Sequence, residues 1–192
     1  MIPYVAVSYG RSGTQSLAKI LGADHESVRF PWRPTIKSVR NVDFFMKYPR
    51  GQVGFTNLSH LQHMRALNPK LPVITLRRDR AAVVASHLSI CDGDDRLSTL
   101  RLRDGGSHAY PTLPDVHTPE QGWGCWWDIC TSMMDQVAPP KYDLWMHDLN
   151  CDDSLANLCD WLANQGVAFH EDFLIPNKRR WDKNAKYRVG GL

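Results

Sequence analysis

The chain has 192 residues, 43% of them hydrophobic and 22% charged, with a formal net charge of +3. These values fit one ordinary globular domain with a sizeable core. No run reaches 18 apolar residues, so no membrane span is expected, and with a strand-like segment almost at Met1 no targeting peptide is expected. Five cysteines (Cys91, Cys125, Cys130, Cys151, Cys159) follow no metal-ligand spacing and are odd in number, which reads as reduced thiols in a cytoplasmic protein.

In chain order, strands alternate with helices. Tyr4–Ser8 is a short β-branched run, a buried strand. Gly13–Leu21 follows as a helix stopped by Gly22. Ile36–Tyr48 has helical apolar spacing, Val53–Thr56 reads as a strand, and Leu58–Leu67 as a helix. Pro72–Leu76 is a clear strand, and residues 80–90 form an Ala- and Val-rich helix. Residues 92–117 lose periodicity and read as a long loop or lid. Thr118 is a helix N-cap, with Pro119 at the first helical position and Gln121 placed for a capping box. The helix it opens carries Trp123, Trp126, Trp127, Cys130, Met133, Met134 and Val137 at helical spacing, a core stripe rather than a cofactor box. After Pro139-Pro140 come a strand, Tyr142–Met146, and a helix, Asp153–Asn164. This alternation predicts an α/β fold: a three-layer sandwich about a mostly parallel sheet. Residues 177–192 carry six basic side chains against one acid, a net +5 that leaves −2 for residues 1–176. That tail is either a solvated face or a basic flap over an anionic ligand.

Two stretches carry chemistry. In YVAVSYGRSGTQSLA (residues 4–18), a strand enters a turn with Gly10 and Gly13 and then a helix. The first-turn N–H groups of a helix have no intrahelical partner, and small residues let backbone approach an anion. Ser12, Thr14 and Ser16 add hydroxyls. A nucleoside-triphosphate loop has Lys and then Ser/Thr after its second Gly; here Thr14 and Gln15 stand there, and the cation, Arg11, precedes Gly13. Taken alone, the stretch is an anion loop or a plain strand-to-helix turn with a solvated Arg. The second stretch follows the Pro72–Leu76 strand. Arg78 falls where a parallel sheet faces its ligand crevice, and Ser86, a little over two helical turns on, can lie on the same side. Guanidinium plus hydroxyl suits a phosphate dianion; the plainer reading makes Arg77, Arg78 and Arg80 surface charges.

Together the two stretches resemble the sulfotransferases that use 3′-phosphoadenosine 5′-phosphosulfate (PAPS). Arg11-Ser12-Gly13-Thr14 matches that family's [K/R]-[ST]-G-[ST] turn, and Arg78 and Ser86 match its Arg and the Ser eight positions later, although Asp79-Arg80 replaces the usual Asn-Pro. Trp145–Leu149 followed by DDSLANLCDWL is similar to a third, late landmark. The resemblance spans about residues 3–165. It implies a P-loop NTPase-like fold, residues 1–192 as a single sulfotransferase-like domain, and metal-free sulfuryl transfer from PAPS to a small-molecule or glycan hydroxyl or amine. It implies that Arg11, Ser12, Gly13, Thr14, Gln15 and Ser16 hold the 5′-phosphosulfate, with Arg11 countering charge on the leaving phosphate. Gln15 stands where many relatives have another Thr. It implies that Arg78 and Ser86 hold the 3′-phosphate, with Lys178 and Arg179 of the basic tail closing over it. A His after the strand preceding the Arg…Ser unit is the family's usual base. His60, with His63 behind it, is the candidate here, although Asn57 stands close to that register. The acceptor pocket is expected from 92–117, with His108, Tyr110 and His117. Two other readings remain open: a small-molecule phosphotransferase on the same fold, and a nucleotide-binding module without turnover. No nucleic-acid or membrane partner is expected.

Overall fold

The computed structural model describes residues 3–9, 11–25, 40, 42, 46, 51–90, 113 and 116–167. Five strands form one sheet: β1 (Tyr4–Val7), β2 (Asp24–His25), β3 (Gly51–Val53), β4 (Val73–Arg77) and β5 (Lys141–Trp145). Their order is β2-β3-β1-β4-β5 and every pairing is parallel. The helices described over their whole length are α1 (Thr14–Ile20), α2 (Leu61–Leu67), α3 (Arg80–Ile90), α4 (Pro119–Asp135) and α5 (Asp152–Asn164). Two 3-10 turns, Phe55–His60 and Met146–Asn150, follow β3 and β5.

All four residues of β1 are buried, so the strand feeds a core on each face. Val5 and Val7 join Val73 of β4 and Leu61, Met64, Val83, Trp123, Trp126, Cys130 and Met134 from α2, α3 and α4. Tyr4 and Ala6 join Ile74 and Leu76 of β4, Leu144 of β5, and Leu17, Leu155, Leu158 and Leu162 from α1 and α5. Helices therefore cover both faces of a parallel sheet, the α/β arrangement that alternation predicts. Each fully buried Leu or Val contributes about 1.5–3 kcal/mol. Leu17, Leu158 and Leu162, all inaccessible to solvent, thus weld the two outer helices to the sheet.

Local chemistry sets the boundaries. Thr118 caps α4 by accepting a hydrogen bond from the Gln121 N–H at 3.2 Å, with Pro119 at its first position. Gly22, at φ 59, turns the chain out of α1. The strand expected at Val53–Thr56 begins instead at Gly51 and ends at Val53, and the chain then winds into the 3-10 turn. The reason is tertiary: the Tyr4 ring lies over Gly51, where a Cβ would sit 2.0 Å from Tyr4 Cζ. Of the helix expected over Ile36–Tyr48, Arg40, Val42 and Met46 are described and all three are helical. Of the 92–117 excursion, residues 113, 116 and 117 are described; His108 and Tyr110 lie outside the described residues, as do Lys178 and Arg179 of the tail. No described helix is long and apolar enough to cross a membrane.

Because all strands are parallel, every carboxyl end opens on one edge. β3 and β4, consecutive in the described chain, lie on opposite sides of β1. Such a reversal opens a crevice at the carboxyl end of the central strand. The turn after β1 therefore stands where a ligand site forms in this class of sheet.

Candidate functional site: a loop joined to an arginine and a serine

The turn after β1 contains two left-handed residues, Arg11 (φ 53) and Gly13 (φ 90). Left-handed residues in a turn curve successive N–H groups to one side, which makes an anion-binding concavity. For Arg11, a side-chain-bearing residue, that conformation costs on the order of 1 kcal/mol. Gly13 is needed for conformation and for space alike. A Cβ there would lie 3.1 Å from Leu149 Cδ1 and 3.3 Å from Met146 Cγ. The landmark after β5 thus forms the floor of the loop.

The sequence separates Arg78 and Ser86 from the loop; the fold joins them to it. Arg78 Nη1 donates to the Arg11 carbonyl at 2.7 Å, and Arg11 Nε donates to Ser86 Oγ at 3.1 Å. Arg77 and Arg80 go elsewhere: Arg77 pairs with Asp135 at 2.8 Å and Asp143 at 3.0 Å, and Arg80 with Asp128 at 3.2 Å. Of this run of arginines, then, the one at the predicted spacing turns to the loop. Ser12 is inaccessible to solvent, and its Oγ finds no hydrogen-bond partner among the described residues. A buried hydroxyl left so costs about 1–3 kcal/mol, which an anion at the loop would recover. Thr14 is buried at the first helical position, Gln15 is exposed and Ser16 half-buried.

Behind these groups stands a support built from Tyr9 and two tryptophans of the α4 stripe. The Tyr9 hydroxyl donates to the Arg78 carbonyl and accepts from the Arg78 N–H. Trp127 Nε1 donates to the same carbonyl at 2.9 Å, and Trp126 Nε1 to the Tyr9 carbonyl at 3.2 Å. The tryptophan stripe of α4 therefore fills the core and also fixes the backbone from which Arg78 projects. Burial raises the Tyr9 pKa, so the phenol keeps the proton it donates.

Four histidines stand on the elements near the loop. His60, expected as a base, ends the 3-10 turn after β3 at the ligand edge, but it is 1% exposed and its Nδ1 lies 2.9 Å from Ser59 Oγ. It is therefore not the surface histidine that its polar neighbours suggest. His63 is half-buried on α2. His87 and His25 escaped the sequence reading. His87 follows Ser86, is 6% exposed, and stacks on Trp123 with centroids 3.9 Å apart and planes 6° from parallel. Its pKa is lowered to about 3, first by burial and then by the Arg11 charge, with Arg78 adding to the effect and a hydrogen bond to the Tyr9 backbone opposing it. A neutral imidazole thus stands against two cations. His25 ends β2, and its Nε2 lies 3.0 Å from Thr14 Oγ1. Among the described residues no group of three or more His, Cys, Asp or Glu converges to hold a metal ion.

Fold and site together define a parallel α/β protein whose central strand opens into a left-handed, glycine-bearing turn ringed by two arginines and buried hydroxyls. No family description, curated protein or solved structure matches the chain.

Proposed function

We propose that the protein is a PAPS-dependent sulfotransferase on a P-loop-like fold. The observation that carries the reading is the meeting of Arg78 with the Arg11 carbonyl and of Arg11 with Ser86. Two signatures that look unrelated in the sequence meet through these contacts, which gathers two guanidinium groups and a hydroxyl suited to an anion. Guanidinium groups bind phosphate oxygens bidentately, and a loop without a Walker lysine suits a donor that ends in a phosphosulfate.

In this reading Arg78 and Ser86 hold the 3′-phosphate, which separates PAPS from ATP-like ligands. The loop N–H groups with Ser12 and Thr14 hold the phosphosulfate. Arg11 swings from Ser86 to counter the charge that grows on the 5′-phosphate as the sulfuryl group leaves. His87, held neutral, leaves both guanidinium charges available to the ligand. Lys178 and Arg179 remain the proposed cover of the 3′-phosphate, and a small-molecule or glycan hydroxyl or amine remains the acceptor.

One observation favours a second reading. The burial of His60 screens the base that the resemblance implies, as expected for a nucleotide-binding module without turnover. Incubation with PAPS labelled in its sulfuryl group and a panel of hydroxyl and amine acceptors separates the two. Labelled product supports the transferase; tight 3′-phosphoadenosine 5′-phosphate (PAP) binding with neither product nor free sulfate supports the module. Transfer of phosphate from Mg-ATP to any acceptor overturns both in favour of a kinase.

A further inference from the structure

On the reading of the loop as a sulfuryl-donor site, we infer that the acceptor enters from the β3–β2 side of the loop and that His25, not His60, takes its proton. The sheet order places the Arg78–Ser86 unit, just past β4 and on α3, to one side of β1, and β3 and β2 to the other. The 3′-phosphate and its nucleoside therefore occupy the β4 side. In-line displacement requires the nucleophile to approach opposite the leaving phosphate. The side left for it is that of β3 and β2.

An open surface groove lies there, lined by Gln15, Ala18, Lys19, Gly22, Ala23 and His25. Gln15, Ala18, Lys19 and Gly22 form one stripe along α1 and its end, and His25 stands opposite at the carboxyl end of β2. His25 belongs to the groove and the loop at once: its Nε2 is 3.0 Å from Thr14 Oγ1, hydrogen-bond distance from the residue that opens the loop's helix. His60, 1% exposed, offers an acceptor no such approach.

The chemistry then balances. The sulfonate oxygens draw the Thr14 hydroxyl, and His25 Nε2 turns to the acceptor's O–H. As the acceptor oxygen forms its bond to sulfur, its proton passes to Nε2. The bond from sulfur to the 5′-phosphate oxygen breaks, and its electron pair stays on that phosphate as PAP departs. His25 later returns the proton to solvent. An imidazole suits the role, and such a base contributes about 10²–10⁴-fold.

Water can stand in for the unidentified acceptor. Sulfate release from labelled PAPS is measured against pH for wild type, His25→Gln and His25→Gly, with PAP melting shifts recorded on the same proteins. The inference expects a wild-type rate that rises through the histidine range. It expects a fall of about 10²-fold or more and loss of that rise in His25→Gln. It also expects partial recovery of His25→Gly by added imidazole, with the PAP shift intact in both variants. Imidazole rescue is a readout that a merely structural histidine would not give. Wild-type rate and pH profile in His25→Gln overturn the inference, as does a wild type that binds PAP yet releases no sulfate. A wild type that PAP fails to stabilise overturns the donor reading itself, whatever His25 does.

Discussion

Two arginines mark opposite edges of the same sheet. At the amino edge, Arg65 donates to four backbone carbonyls: Pro69 and Pro139 at 3.0 Å, and Ala138 and Pro140 at 2.9 Å. It ties the end of α2 to the segments that enter β4 and β5. At the carboxyl edge, Arg78 also meets a carbonyl, that of Arg11, but there a second guanidinium, a hydroxyl and an orphaned buried serine gather round it. The same side chain is a clamp where its partners are neutral carbonyls from several segments. It becomes a candidate binding group where like charges collect at the mouth of a parallel sheet, an arrangement that costs stability without an anion.

Substitution at each edge should separate the two roles. Arg65→Ala leaves four carbonyls without their donor. It should lower unfolding stability by about 2–4 kcal/mol, read by urea denaturation, and leave the PAP affinity of the folded protein unchanged. A selective loss of PAP affinity would erase the distinction. Arg78→Ala should do the reverse. PAP should bind about 10–100-fold more weakly, equivalent to 1.5–3 kcal/mol for a charge-assisted contact, while unfolding without ligand shifts by about 1 kcal/mol or less.

His87 sharpens the comparison through pH. Its pKa in the fold, about 3, lies below its unfolded value near 6.5. Between these values the unfolded chain binds the extra proton, so stability is full above about pH 6.5 and falls as pH drops toward 3, by a few kcal/mol at most. His87→Phe should flatten that limb of a pH-dependent melting series; an unchanged limb would mean that the imidazole is not held neutral. A smaller effect is expected at Gly13. Gly13→Ala meets both the positive φ and the Leu149 contact, so a loss of about 1–2 kcal/mol is expected by calorimetry. The smallest is expected of Ser86→Ala, about 0.5–1.5 kcal/mol in PAP binding by calorimetric titration.

The sequence was legible where one element carries its own signal. β1 shows as a buried run, β4 as the clearest strand after it, and α4 through its Thr-Pro cap; the α3 span of 80–90 agrees with its helical reading. The Arg78–Ser86 spacing and the loop are both local, so they could be seen separately. Their contact could not, since it depends on β4 lying beside β1. β2 was invisible because Asp24 and His25, two polar residues, carry no strand signal of their own. His25 was lost with it. β3 was displaced because Gly51 is a strand residue only under the Tyr4 ring. His87 was hidden for the same kind of reason: its partner Trp123 stands on another helix, and nothing in an Ala- and Val-rich stretch announces a buried imidazole beside two arginines.

The central claim is that the loop and the Arg78–Ser86 unit form one site for a 3′-phosphorylated nucleotide. The most direct measurement is the melting shift of the purified chain with PAP in EDTA, set beside the shift with Mg-ATP at equal concentration. A large shift with PAP and little with Mg-ATP is the predicted result. An equal or larger shift with Mg-ATP, or none with PAP, would contradict it.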